Sequence, residues 1–188
     1  PQQSIEDALD DIKTVLAFKP THFSWYQLTI EPNTLFHHQP PVLPPEEVLG
    51  EIQQQGEEVL REHDFTQYEI SAWCKEKFQC KHNINYWEFG DYLGIGAGAH
   101  SKISFPHRVI RQARFKQPSS YLHHAQSGAV IQDEHELERG ALGFEFMLNA
   151  LRLREGFALA QFSERTGLPL SAIQKALAEA EAKGLVTR

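Results

Sequence analysis

The sequence predicts an α/β fold in two parts. Residues 1–104 read as parallel βα units of an incomplete barrel, and residues 105–188 as a mostly helical, winged-helix-like domain. Two patterns carry this expectation. Helical and strand-like segments alternate through the first part, which is the rhythm of βα units in a parallel sheet. From about Glu136 the periodicity becomes helical and ends in a helix-turn-helix pattern. With 188 residues, of which 41% are hydrophobic and 23% charged, the chain is long enough to bury a core and suits one large or two small domains.

The first helix has its start at Ser4, whose hydroxyl can accept from an orphan backbone N–H, with Asp7 three residues on. Ile5, Ala8, Leu9, Ile12 and Leu16 follow at helical spacing until Pro20. His22 to Ile30 is rich in aromatic and β-branched residues and reads as a buried strand ending at Glu31-Pro32. Thr34 to Pro44 is a proline-rich loop, and Pro45 suits the first turn of a helix whose apolar stripe is Val48, Leu49, Ile52, Val59 and Leu60. Gln67 to Ala72 reads as a second strand, followed by an irregular loop rich in Cys, Lys and Asn, and Tyr92 to Ile95 as a third. A parallel βα fold that opens on a helix needs partner strands upstream, so the chain is expected to be a fragment with an exposed sheet edge that recruits another copy.

In the second part, Leu137, Ala141, Phe144, Leu148 and Leu151 keep a helical stripe. Ala158 to Arg165 forms a short helix, Gly167-Leu168-Pro169 a turn, and Ser171 to Lys183 a second helix. Ser171 with Gln174 has the form of a capping box, Gly184 sits at the helix C-terminus, and Leu185-Val186-Thr187 begins a wing strand.

Charge and cysteine content exclude several classes. The net charge of -7 offers no general affinity for nucleic acid or anionic membrane. No apolar run approaches the ~20 residues that span a bilayer. Cys74 and Cys80 are the only cysteines, which speaks against a disulfide framework and fits a reducing cytoplasm. Their spacing to His82, C-x5-C-x-H, is wider than a short zinc-ligand hairpin and lacks a fourth ligand. The pairs His37-His38 and His123-His124 read as surface residues. Glu31 and Glu69 close the first two strands, where polar site residues and solvated strand ends are equally common.

The most informative stretch runs Gln67-Tyr68-Glu69-Ile70-Ser71, then His82-Asn83-Ile84-Asn85-Tyr86-Trp87, then Gly90-Asp91-Tyr92-Leu93-Gly94-Ile95-Gly96-Ala97-Gly98-Ala99-His100-Ser101. These runs, in this order and after Tyr26-Gln27-Leu28-Thr29-Ile30-Glu31-Pro32, resemble the HemW type of radical-SAM protein, a heme-handling relative of oxygen-independent coproporphyrinogen III oxidase. The resemblance covers nearly the whole chain. It implies a partial radical-SAM barrel, a coproporphyrinogen-oxidase-like C-terminal domain, and heme, S-adenosylmethionine and a [4Fe–4S] cluster as the ligands of the intact protein.

By that resemblance His82, Asn83, Tyr86 and Trp87 form a heme site. An imidazole beside Tyr86 and Trp87 can ligate iron while flat aromatic surfaces cover a porphyrin face; the alternative is a surface-loop histidine whose neighbouring aromatics belong to the core. Gly94, Gly96 and Gly98 alternate so that a ligand or a neighbouring backbone can approach closely. Taken by themselves they are more often a packing device, whereas the resemblance implies S-adenosylmethionine contacts at Thr29, Gly94, Gly96 and His100. The C-x3-C-x2-C triplet that holds the cluster is absent, so this chain is expected to be inactive alone.

The leading expectation is heme binding and delivery to recipient proteins, and the runner-up is oxidative decarboxylation of coproporphyrinogen III. A winged-helix DNA-binding regulator is the third, from a different class. Against it, Glu155, Glu164, Glu179 and Glu181 balance Arg165, Lys175, Lys183 and Arg188, leaving no basic excess for phosphate contact.

Overall fold

The computed structural model describes residues 2–187. In chain order the elements are α1 (Ile5–Ala17), β1 (His22–Ser24), α2 (Leu35–His38), α3 (Glu46–Glu62), β2 (Thr66–Glu69), β3 (Ala72–Cys74), α4 (Lys81–Trp87), β4 (His100–Phe105), β5 (Arg108–Arg114), α5 (Pro118–Ala125), β6 (Ile131–Glu136), α6 (Leu142–Ala150), α7 (Leu159–Thr166) and α8 (Ser171–Ala182). They form two compact units that divide between Cys80 and Lys81. The boundary near residue 104 expected from the sequence falls inside β4.

In the first unit, α1 starts as the sequence indicates. The Asp7 N–H donates to the Ser4 hydroxyl at 3.1 Å, and the Ser4 N–H donates to the Asp7 carboxylate at 3.0 Å, a reciprocal cap. Ile12 of α1 and Leu60 of α3 pack with Phe23, Phe65 and Trp73 into one apolar core. The sheet corrects the parallel expectation. Its strand order is β1-β3-β2, and both neighbours pair antiparallel with β3. After Glu69 the chain turns back at once and returns as β3, which inserts between β1 and β2. Those two strands run the same way without bonding each other. The turn is abrupt because all of Ala72, Trp73 and Cys74 are buried, so this segment is pulled into the centre of the sheet.

The strand expected over His22–Ile30 ends at Ser24, because β3 is only three residues long and offers no further partners. Beyond it the Trp25 N–H still donates to Ser71 O at 2.9 Å, while Tyr26 is 64% exposed. The proline-rich loop contains the short helix α2, capped by the Thr34 hydroxyl.

The second unit holds an antiparallel meander, β4-β5-β6, that the sequence did not announce. β6 is exposed along all six residues and so carries no alternation to betray a strand, and the helical character expected from about Glu136 starts only at α6. Tyr92–Ile95 is not a strand; only Tyr92 makes a bridge, to Lys102. The core gathers Phe89, Val109, Leu142, Phe146, Ala150, Phe162 and Ile173.

α7 and α8 match the expected helix-turn-helix, with Gly184 left-handed at φ 69 just beyond α8. The capping box of Ser171 does not form. Leu170 already has helical angles, φ -56 and ψ -25, which places Ser171 inside the helix. Leu185–Thr187 forms no strand, and Arg188 lies outside the described residues. An open apolar groove of about 770 Å³ runs between α6 and α8, with Phe144, Met147, Leu148 and Leu177 in its walls and Arg139 at its edge. Among the described residues no helix is long and apolar enough to cross a membrane.

Candidate functional site

His82, Asn83, Tyr86 and Trp87 lie on α4, where the sequence suggested a loop. The helix gives the motif its geometry. Residues four apart share a face, and the His82 and Tyr86 ring centroids are 6.2 Å apart with the planes tilted by 47°. His82 is exposed and Asn83 half-buried. Tyr86 stacks on Tyr92 at 4.7 Å, and the Tyr92 hydroxyl donates to the Tyr86 hydroxyl at 3.1 Å. Burial pushes the Tyr92 phenol well above its ordinary range, and the Tyr86 hydroxyl beside it adds to the shift, so Tyr92 keeps its proton as a donor.

Trp87 meets Tyr86 edge to face at 5.3 Å, and the Arg152 guanidinium carbon lies 4.2 Å from the indole ring. The Trp87 indole N–H is buried without a hydrogen-bond partner. The arrangement is therefore an accessible imidazole beside a braced aromatic surface with a cation at one side. That set can offer a nitrogen ligand, flat apolar contact and a partner for a carboxylate.

The glycine run forms a loop rather than a strand end. The Gly94 N–H donates to the Ser101 hydroxyl at 2.9 Å, and Arg114 Nε donates to Gly94 O at 3.2 Å. The Gly96 N–H donates to the Tyr121 hydroxyl at 3.2 Å, and the Gly98 N–H donates to Phe115 O at 2.9 Å. Gly96 is left-handed at φ 104, with open space where a Cβ would stand. Ile95 projects from the loop, 89% exposed. His100 is exposed at the start of β4, and Thr29 is exposed in the extended chain of the first unit.

Among the described residues no group of three His, Cys, Asp or Glu side chains could hold a metal ion. Cys74 is buried in β3, and burial raises its thiol pKa, which makes it a poor thiolate ligand. Glu31 is exposed, whereas Glu69 is fully buried. His22 Nε2 lies 2.8 Å from the Tyr68 hydroxyl, and burial lowers the His22 pKa despite the nearby Glu69.

Sequence reasoning missed two charged residues of the second unit. Arg152 reads as one of several basic residues near the end of α6. Lys102 sits in an ordinary-looking strand pattern, yet it is 2% exposed. Its only sequence signal is a lysine two residues after His100 and two before Ser104, a spacing that alternation along β4 would turn to one face.

Comparison with known proteins bears on the whole chain. A family model described as the HemN C-terminal domain matches residues 137–188. The heme chaperone HemW of Escherichia coli K12 is 43% identical over 188 residues, covering 100% of this chain and 49% of that protein. The Haemophilus influenzae heme chaperone HemW is 45% identical over 175 residues, covering 93% of this chain and 45% of its own length. The Bacillus subtilis protein of the same name is 31% identical over 194 residues, 99% of this chain and 50% of that one. Among solved structures, the radical SAM enzyme coproporphyrinogen III oxidase (HemN) of Escherichia coli has a similar fold. The TM-score is 0.72 and the identity 16%, over 100% of this chain and 47% of that one. The fold is thus mixed α/β and similar to about half of HemN. The sequence is similar to the heme chaperones named HemW along nearly its whole length, and the chain spans about half the length of the curated relatives it matches.

Proposed function

We propose that this chain is part of a cytoplasmic heme-binding and heme-delivering protein, in which His82 ligates the iron and Tyr86 and Trp87 cover a porphyrin face. The observation that carries this reading is the α4 geometry: an exposed imidazole one helical turn from a tyrosine that is itself braced by Tyr92. Asn83 and Arg152 are the polar groups at hand for the propionates, since Arg152 already lies against the Trp87 ring. Relatives named heme chaperone at 43% and 45% identity favour this over decarboxylation of coproporphyrinogen III, for which the likeness at 16% identity speaks only to fold.

The intact protein of this reading also uses S-adenosylmethionine and a [4Fe–4S] cluster, which together supply radical chemistry when bound. The two cysteines here, one buried and one half-buried, do not fit a cluster that needs three closely spaced thiolates. For S-adenosylmethionine, Gly96 offers a loop position with room above it and an anchored amide beneath. Thr29, Gly94 and His100 are the other residues this reading assigns to that ligand.

The test is heme titration of the intact protein followed at the Soret band. His82→Ala should remove an axial ligand and shift or abolish the band, whereas His107→Ala, at the β4–β5 turn outside the motif, should leave it unchanged. Trp87→Ala should weaken binding without altering coordination, because it removes packing area rather than a ligand. Identical spectra and affinities for His82→Ala and His107→Ala would show that His82 is not the ligand.

A further inference from the structure

Lys102 carries its ammonium group into the interior of the second unit, where it is 2% exposed. A charge at that depth persists only when its donors are satisfied. Its Nζ donates to Phe89 O at 2.9 Å, Asp91 Oδ1 at 3.0 Å and Ser104 Oγ at 3.0 Å, and lies 4.1 Å from the Phe89 ring centroid. Asp91 is fixed in turn by the Ser104 N–H at 2.9 Å and the Ser104 hydroxyl at 2.7 Å. Burial works to raise the Asp91 pKa, but these bonds and the ammonium outweigh it and hold the carboxylate charged below its usual range. Burial lowers the Lys102 pKa, with Asp91 opposing it.

Two of the three acceptors belong to the segment that leaves α4. Phe89 is left-handed at φ 57, a strained conformation for a bulky aromatic residue. Its N–H donates to Tyr86 O at 3.1 Å, and the Gly90 N–H donates to Asn85 O at 2.7 Å. Asn85 Nδ2 donates to Asp91 O at 3.0 Å. The Lys102 backbone also exchanges two hydrogen bonds of 3.0 Å with Tyr92, the residue stacked on Tyr86. One residue of β4 therefore holds both the strained turn that closes α4, through its side chain, and the segment that braces it, through its backbone.

We propose that Lys102 is the positioning residue of the His82-Asn83-Ile84-Asn85-Tyr86-Trp87 helix. Its buried ammonium clamps the turn at Phe89 and Asp91, and so fixes the orientation of Tyr86, Trp87 and His82 toward heme. The proposal rests on the reading of α4 as the heme site.

The test compares Lys102→Met and Asp91→Asn in the intact protein with Ile173→Val, which trims the same core from α8. Hydrogen exchange should speed up by about tenfold for amides 84–92 in the two clamp variants, while amides 142–150 of α6 change little. Ile173→Val should produce no such selective change. The clamp variants should also shift the Soret band and bind heme more weakly, and Ile173→Val should keep the parental spectrum. If Lys102→Met fails to fold, Asp91→Asn decides, because its side chain is 45% exposed and tolerates the isosteric change. Uniform acceleration across the unit, or none at residues 84–92, overturns the proposal. So does selective acceleration with an unchanged Soret band in a protein that loses the band on His82→Ala. An unchanged band in His82→Ala overturns the heme reading instead, and the exchange pattern still decides the clamp.

Discussion

At Gly94 the backbone leaves no room for a side chain. A Cβ there would lie 2.3 Å from His100 O and 2.8 Å from His100 N, so the start of β4 would have to move. Gly140, by contrast, has nothing within 4 Å of a Cβ. Gly94→Ala should therefore destabilise by about 1–3 kcal/mol through overpacking, and Gly140→Ala should be neutral or stabilise by up to about 1 kcal/mol. Urea midpoints of the two variants check this; equal midpoints would refute the packing role. The alternation of glycines was legible as close approach, but not what approaches. At Gly94 it is the protein's own backbone, and at Gly96 it is open space. The aromatic and histidine residues of the motif were legible one by one. Their helix was not, because seven residues starting Lys81-His82-Asn83 have no apolar stripe long enough to signal one.

Among the elements, α6 does most to organise the second unit. Phe146 is fully buried, and its ring meets Phe89, Phe157 and Phe162 edge to face at 5.9, 5.1 and 5.3 Å. Phe146→Ala removes all three contacts and leaves a cavity, so it should cost about 3–5 kcal/mol, measured as a fall in the denaturation midpoint. A loss under about 1 kcal/mol would mean that the core collapses around the gap. The apolar period that marks α6 was visible in the sequence, as were α1, α3, α7 and α8. The strands were harder to read. β1, β2 and β3 are three or four residues long, too short for alternation to register. Their antiparallel order depends on β3 inserting between two others, a long-range choice that no local pattern encodes. The edge strand β6 shows Asp133, Glu134 and Glu136 to solvent, and charged edges resist pairing with another chain.

For the molecule as a whole, the helix-turn-helix of α7 and α8 invites a nucleic-acid reading that charge opposes. The chain carries -7 at pH 7 with a pI near 5.8, and α8 itself holds one lysine against Glu179 and Glu181. Lys175 is moreover within 4.0 Å of Glu179, a pair that compensates its charge on the helix surface. Affinity for DNA comes mainly from neutralised phosphates, and it falls steeply with salt in proportion to their number. A helix with no excess cation cannot supply that contribution. The face between α6 and α8 is instead apolar, with Phe144 and Leu148 both more than half exposed, which suits packing against protein or an apolar ligand better than a groove of DNA. Gel shifts with random and genomic duplexes should therefore find no complex tighter than about micromolar at physiological salt, where specific sites typically bind at 10⁻⁸ M or below. A salt-sensitive, sequence-selective complex below that limit would overturn this and reassign the helix-turn-helix to DNA recognition.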